Sequence, residues 1–379
     1  MPSHDRRRRR RRPCPGPRGA AVDHALRRAR LGERLSGLGL DALFVTRLPN
    51  VRYLTGFTGS NAQALVGTEA TVFFTDGRYR EQSRHEVTDA ERVIYAGPLP
   101  PVAEEAVARA MMRIGFESED VTHGSWERLR RALEGMELVP TGPEVEQLRR
   151  VKDPEEVRAI GRAQEAADAA FDSVVLGGGL REGIVERELA LDLEIAMRRA
   201  GADDRAFETI AAFSENAAEP HHHPTDRPLT RGDVVKLDFG ALVDGYHSDM
   251  TRTVAFGEPD TRLREVRDLV AAAQEAGIAA VHAGARAADV DLAARRVIED
   301  AGLGKEFPHG LGHGVGLEIH EAPRVRWDVP DDLPEGAVVT VEPGVYIPGL
   351  GGVRIEDMVE VTADGCRPIP RSTKELVVL

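Results

Sequence analysis

Apolar residues along this chain switch repeatedly between helical and strand spacing, and the switching divides it into two blocks. Leu26, Ala29, Leu31, Leu35 and Leu38 recur at approximately helical intervals, closed by Gly37 and Gly39, which predicts a helix from about Val22. Asp41 to Thr46 reads as a buried strand, Ala70 to Thr75 as another, and Asn50 to Phe57 as a loop-like segment between them. Helices over about 101–113 and 124–134 interleave with short strands near Ile114 and Leu138, the alternation of an α/β domain.

Pro140-Thr141-Gly142-Pro143 marks a linker. Beyond it Asp153 reads as a helix N-cap, with Pro154 at the first helical position and Glu155-Glu156 complementing the helix dipole. Helices are predicted over about 154–176, 182–200, 261–282 and 286–301, each pair followed by strands. The second block is therefore expected to be α+β, two αα-plus-strands halves about a pseudo-two-fold axis, with the strands in one curved sheet.

One stretch of that block carries unusual polarity. Val234, Val235 and Leu237 bracket Lys236, the chain turns through Gly240 and Asp244-Gly245, and Met250 to Val254 resumes strand character, a hairpin pattern. Asp238 and Asp249 lie where each arm meets the turn, and two carboxylates held so close repel unless a proton or cation separates them. Glu342 and Glu356 likewise end or interrupt β-branched runs, and His309-Gly310-Leu311-Gly312-His313 follows the last helix pair. Carboxylates with an imidazole suit Mn²⁺, Co²⁺, Fe²⁺ or Zn²⁺, and the lack of cysteine ligands speaks against a purely structural zinc site. Asp238, Asp249, His313, Glu342 and Glu356 are enough donors for two ions about 3.5 to 4 Å apart that share a hydroxide nucleophile.

The remaining polar residues have blander readings beside the functional one. His222 and His223 read as parts of a solvated loop, while His309 and His320 fit packing and function equally. Asp244 and Asp357 are expected in turn and solvent roles. Arg354 shares a strand face with Glu356, so it is expected to orient that carboxylate or the substrate.

Composition narrows the function classes. The 379 residues are 41% hydrophobic and carry a formal charge of −13, which argues against a general nucleic-acid binder. Eleven of the first thirty residues are Arg, including the run Arg6 to Arg12, followed by Pro13, Pro15 and Pro17; residues 1–20 are expected to form a disordered tail. No apolar segment follows the arginines and no run of about 18 apolar residues exists, so neither a secretory signal nor a membrane span is predicted. Cys14 and Cys366 are the only cysteines, which fits a reducing cytoplasm.

Five segments in order resemble the pita-bread metallopeptidases of the creatinase and methionine aminopeptidase superfamily, most closely the proline-specific Xaa-Pro dipeptidase (prolidase) and aminopeptidase P branch. They are Leu237-Asp238-Phe239-Gly240, Ser248-Asp249-Met250-Thr251-Arg252, His309 to His313, Val341-Glu342-Pro343-Gly344 and Arg354-Ile355-Glu356-Asp357. The resemblance implies a creatinase-type domain over 21–145 and a pita-bread domain over 146–379. It implies that Asp238 binds one metal, that His313 and Glu342 bind the other, and that Asp249 and Glu356 bridge them, with manganese favoured over Co, Zn or Fe.

By the same resemblance Glu342 is the general base or proton shuttle. His221 lies on the substrate side, His320 stabilises the tetrahedral intermediate and His309 lines the proline pocket. The segment from Glu321 to Arg326 is shorter than in larger prolidases, and Arg324 matches an arginine that holds a dipeptide's terminal carboxylate in compact microbial ones. Bidentate binding by Arg favours free dipeptides and so an Xaa-Pro dipeptidase. The alternatives are an aminopeptidase P acting on longer peptides, a metal-free creatinase-like enzyme and a non-catalytic protein of the same fold. A homodimer acting on a small Xaa-Pro peptide, with no membrane or nucleic-acid partner, is the implied setting.

Overall fold

The computed structural model describes residues 22–379, so the expected tail over 1–20 lies outside the described residues. The first block is a six-stranded mixed sheet. Its strands are β1 Ala42–Val45, β2 Ala62–Gly67, β3 Thr71–Asp76, β4 Glu91–Tyr95, β5 Arg113–Glu117 and β6 Glu137–Thr141, in the order β4-β3-β2-β1-β5-β6. The helices are α1 His24–Gly37, α2 Leu48–Thr55, α3 Arg80–Glu86, α4 Val102–Ala108, α5 His123–Ala132 and α6 Glu144–Arg149.

The segment expected as a loop around Asn50 is helix α2. Pro49 occupies its first turn and Gly56 closes it at φ 78°, but no local side chain caps it. The cap comes from β5, where Glu117 Oε2 accepts from the Thr46 and Arg47 amides at 2.6 and 2.8 Å. A helix start held by a residue some 70 positions away has no local signature.

The second block opens with α7 Pro154–Ala170, started by a reciprocal capping box. Asp153 Oδ1 accepts from the Glu156 amide at 2.9 Å and Glu156 Oε2 accepts from the Asp153 amide at 3.1 Å. Helix α8 Glu186–Arg199 follows. Strands β7 Asp204–Arg205, β8 Ile210–Phe213, β9 Asp233–Phe239, β10 Ala241–Val243, β11 Tyr246–His247 and β12 Met250–Phe256 precede the second helix pair, α9 Thr261–Ala280 and α10 Ala287–Asp300. The chain ends in β13 Gly312–Gly314, β14 Glu321–Val325, β15 Val338–Val341, β16 Gly344–Ile347, β17 Gly351–Arg354, β18 Asp357–Thr362 and β19 Gly365–Pro368.

The strands form separate ladders rather than the single curved sheet expected. The main two are β12-β9-β8 and β14-β13-β15-β18-β19, with β16-β17 and β11-β10-β7 as smaller ribbons. The two main ladders abut where the Glu356 amide donates to Thr251 O at 3.1 Å. Each packs one face on a helix pair. Val235, Leu237, Phe239, Met250 and Val254 join a core with Leu189 and Leu193 of α8, while Val339, Val341, Val359 and Val361 join one with Val270 of α9 and Ala294 of α10. Burying each Leu or Phe side chain contributes roughly 1.5–3 kcal/mol.

Because the strand period is two, the opposite faces bring Asp238, Thr251, Thr340 and Glu356 to the junction of the ladders. Asp357 faces away from Glu356 as alternation demands, yet it is buried rather than solvated. That face lies under α9, where Arg252 Nη2 and Gln274 Nε2 donate to Asp357 at 2.8 and 3.1 Å. Among the described residues, no helix is long and apolar enough to cross a membrane.

A candidate metal centre at the junction of the ladders

The hairpin that draws attention in the sequence is built as β9 and β12, with Asp238 opposite Thr251, and Asp249 sits one residue before β12. Gly312 at the start of β13 lets that strand lie directly against β15, because a Cβ there would collide with the Thr340 carbonyl. Next to it, His313 Nδ1 is 3.1 Å from Gly314 O. With the ring proton on Nδ1, Nε2 turns a lone pair toward the space it shares with Asp249 Oδ2, 3.6 Å away, and Glu342 Oε1, 3.3 Å away; a doubly protonated ring instead donates to Glu342. Asp249, His313 and Glu356 each offer a donor atom within 4.8 Å of the other two.

Asp238, Asp249, His313, Glu342 and Glu356 all line one cavity of about 660 Å³. His221, His309, His320, Arg324 and Arg354 line it too. His320 packs edge-on to His313 with ring centroids 4.3 Å apart. His309 Nε2 is 2.9 Å from the Tyr346 hydroxyl. Arg324 is exposed at the rim.

Arg354 is buried, and its guanidinium pairs with Asp238 rather than with Glu356. Its other nitrogens donate to Thr251 Oγ1, the Tyr346 hydroxyl and Pro220 O, at 3.0, 2.9 and 3.2 Å. Glu356 is instead held by Thr251 Oγ1 at 2.7 Å. Thr340 Oγ1 plays the same part for Glu342, at 3.0 Å. Thr251 lies inside a segment that the sequence singles out and Thr340 directly before one, but a threonine in a strand carries no signal of its own. Tyr346 lies outside those segments.

His222 corrects the expectation of a solvated loop. It is 6% exposed, with Nε2 2.9 Å from Glu186 Oε2 and Nδ1 3.0 Å from Glu219 Oε2. Glu186, fully buried, also accepts from the Phe213 and Thr225 amides, so His222 is anchored while His221 beside it stays open to the cavity. His223 is exposed, near Glu208 at 3.4 Å.

The electrostatics are those of an acid cluster short of cations. Burial first, then repulsion from Glu356, Asp238 and Glu342, pushes Asp249 well above the ordinary carboxylate range. Glu356 is pushed up by burial and by Glu342 and Asp238, and Asp238 chiefly by burial, against the pull of Arg354. Burial also raises Glu342, but its bond to His313 and that ring's charge outweigh this and bring it down to about 2. Lys236, the other buried base nearby, is lowered to about 6 by burial and by Arg354. Its Nζ donates to the Ala217 and Glu219 carbonyls, at 3.0 and 2.5 Å.

Four carboxylates against one committed guanidinium leave negative charge unbalanced. Asp238 Oδ1 and Glu356 Oε1 are buried with no hydrogen-bond partner among the described residues. Orphaned, mutually repelling oxygens beside an imidazole Nε2 are what a hard or borderline divalent cation requires, so the donor set fits such ions.

Comparison with known proteins agrees with this chemistry. Residues 158–363 match the model of metallopeptidase family M24, and residues 27–151 match the creatinase/prolidase N-terminal domain. The chain belongs to metallopeptidase family M24. As an M24 peptidase it is a hydrolase, and the family implies divalent metal ions. This M24 chain is 35% identical to the Xaa-Pro dipeptidase of Pyrococcus furiosus over 89% of its own length and 95% of the relative's. In three dimensions it resembles the Xaa-Pro dipeptidase from Bacillus anthracis with a TM-score of 0.91 at 37% identity, covering 94% of this chain and all of that one. The X-Pro aminopeptidase from Thermotoga maritima MSB8 gives 0.84 at 35% identity, over 91% of this chain and all of that one. The M24 chain therefore has the expected architecture, a creatinase-type α/β domain followed by a pita-bread domain.

Proposed function

We propose that this M24 peptidase hydrolyses Xaa-Pro bonds with two divalent metal ions, and that its preferred substrates are free dipeptides. The observation that carries the proposal is the convergence of Asp238, Asp249, His313, Glu342 and Glu356 on one wall of a cavity whose rim presents an exposed arginine. Asp238 would hold one ion, His313 and Glu342 the other, and Asp249 and Glu356 both. When bound, such ions supply a water acidic enough to attack at neutral pH and polarise the scissile carbonyl.

The chain's own residues supply the rest. Thr340 Oγ1 donates to Oε1 of Glu342, which leaves Oε2 to take a proton from the attacking water and return it to the leaving nitrogen. His320, open to the cavity and braced edge-on by His313, donates a hydrogen bond to the oxygen that gains charge in the tetrahedral intermediate. His309, held by Tyr346, offers a ring face to the proline, whose nitrogen has no hydrogen to donate. His221 lies on the substrate side of the cavity, and Arg354 acts on substrate through Asp238.

Arg324 makes no ion pair among the described residues, which leaves its guanidinium for a substrate carboxylate. The same exposure favours a second reading, an aminopeptidase P for which the open rim admits longer peptides. Turnover of Ala-Pro against Ala-Pro-Ala, before and after Arg324→Ala, separates the two. A dipeptide preference that survives the substitution overturns the clamp role of Arg324. We take the active form to be a cytoplasmic homodimer using Mn²⁺, divided into a first domain over 21–145 and a catalytic domain over 146–379. Metal analysis and sedimentation of the purified protein test the metal and the dimer.

A further inference from the structure

The loop that carries His320 is flanked by two glutamates that face away from the cavity. Glu318 and Glu321 both reach Arg149, whose side chain is 2% exposed: Nη2 is 2.8 Å from Glu318 Oε2 and also pairs with Glu321 Oε2. Lys152 Nζ lies 2.8 Å from the other oxygen of Glu321, and its side chain is fully buried. The turn leading into Glu318 is closed by the Gly316 amide donating to Glu318 O at 3.1 Å, and Gly316 O accepts from the His247 amide at 2.9 Å. A Cβ at Gly316 would meet the Glu321 carboxylate, so the glycine leaves that carboxylate room to sit where Arg149 and Lys152 reach it.

The first domain completes the grip. Arg47, just before α2, pairs with Glu318 Oε1 and lies 3.1 Å from Glu146 Oε1. Asn50 of α2, fully buried, accepts from Arg149 Nη1 at 2.8 Å and donates to Glu117 and Glu146, both at 2.7 Å. The guanidinium that holds the catalytic loop is thus itself aimed by a residue of helix α2. Burial raises Glu321, but Lys152 and Arg149 outweigh it and hold its carboxyl below the usual range, so the grip is ionic at neutral pH.

We propose that Glu318 and Glu321 are positioning residues through which the first domain, by way of Arg47, Asn50 and Arg149, sets the orientation of His320. This rests on the proposed role of His320 in Xaa-Pro hydrolysis. Substitution of buried Arg149 can unfold the chain, so the test uses the half-exposed pair, Arg47→Ala and Glu318→Gln, each alone and with His320→Ala.

The first readout is amide hydrogen exchange and needs no activity. In both single variants, exchange over residues 316–321 rises about tenfold while β9 and β12 keep wild-type protection. Unchanged exchange, or a rise throughout the chain, overturns the grip whatever the enzyme's substrate proves to be. The second readout is kcat against KM for Ala-Pro at saturating Mn²⁺. Glu318→Gln lowers kcat about tenfold with KM nearly unchanged, less than the roughly 10²-fold that a 1 Å misplacement costs. In the His320→Ala background the same change costs less than about twofold, because it acts through the missing ring. Equal losses with and without His320 overturn the positioning role. If the wild type fails to turn over Ala-Pro, the role of His320 falls with the substrate assignment, while the exchange result still decides the grip.

Discussion

Two acid clusters in this chain differ in where their counter-charge comes from. Glu318 and Glu321 meet Arg47, Arg149 and Lys152, so every carboxylate has a cation from the chain itself. Asp238, Asp249, Glu342 and Glu356 share one buried guanidinium, already committed to Asp238, and two of their oxygens have no partner among the described residues. The first cluster is complete as folded and ties two domains together. The second is incomplete as folded, and that deficit marks it as a place for added cations. A buried carboxylate is therefore informative less for its burial than for whether the chain neutralises it.

Removing a carboxylate should have opposite consequences in the two places. Asp249→Asn, in the incomplete cluster, should lower kcat/KM at least about 10³-fold, roughly 4 kcal/mol of barrier, with manganese content falling and the metal-free melting temperature unchanged or raised. Loss of stability without loss of metal would dissolve the distinction. Glu321→Gln, in the complete cluster, leaves Arg149 and Lys152 buried against a neutral amide. Breaking such a pair costs about 3–5 kcal/mol, read by denaturant unfolding, with metal content retained.

Intermediate effects test the supports of each site. Thr251→Val removes the hydroxyl that holds Glu356 and should weaken Mn²⁺ binding by about 10- to 100-fold, measured by titration calorimetry. Arg324→Ala should raise KM for Ala-Pro about 10- to 100-fold, the worth of a charged hydrogen bond, and change Ala-Pro-Ala much less.

The smallest effect is in pH. Glu321 is depressed in the folded chain relative to its ordinary value of 4.5. Its contribution is therefore fully present above about pH 4.5 and is lost as pH falls through the lower folded value. The stability gap between wild type and Glu321→Gln should stay constant from pH 7 down to about 5 and close below that. A gap that widens in acid would reverse the sign of the argument.

The same contrast explains how much could be read from the sequence. The four carboxylates of the incomplete cluster stand at strand ends beside short apolar runs, so each breaks a local pattern and can be noticed. The complete cluster uses ordinary charged residues up to 271 positions apart, as in Arg47 and Glu318, and nothing in a local window marks them. The errors have the same origin. Alternation with Glu356 points Asp357 toward solvent, but α9 covers that face; polar neighbours point His222 toward solvent, but Glu186 on α8 reaches it. Helix α2 lacks a local cap because Glu117 supplies one from β5. In each case the deciding contact joins elements that are distant in the chain.

The most direct test of the incomplete cluster is to strip the wild-type protein with a chelator and follow Ala-Pro hydrolysis while manganese is returned and counted. The metal-free protein should show no turnover, and recovery should saturate near two ions per chain, with neither recovery nor full binding in Glu356→Gln. Undiminished hydrolysis by metal-free protein, or full recovery in Glu356→Gln, would contradict the two-ion reading.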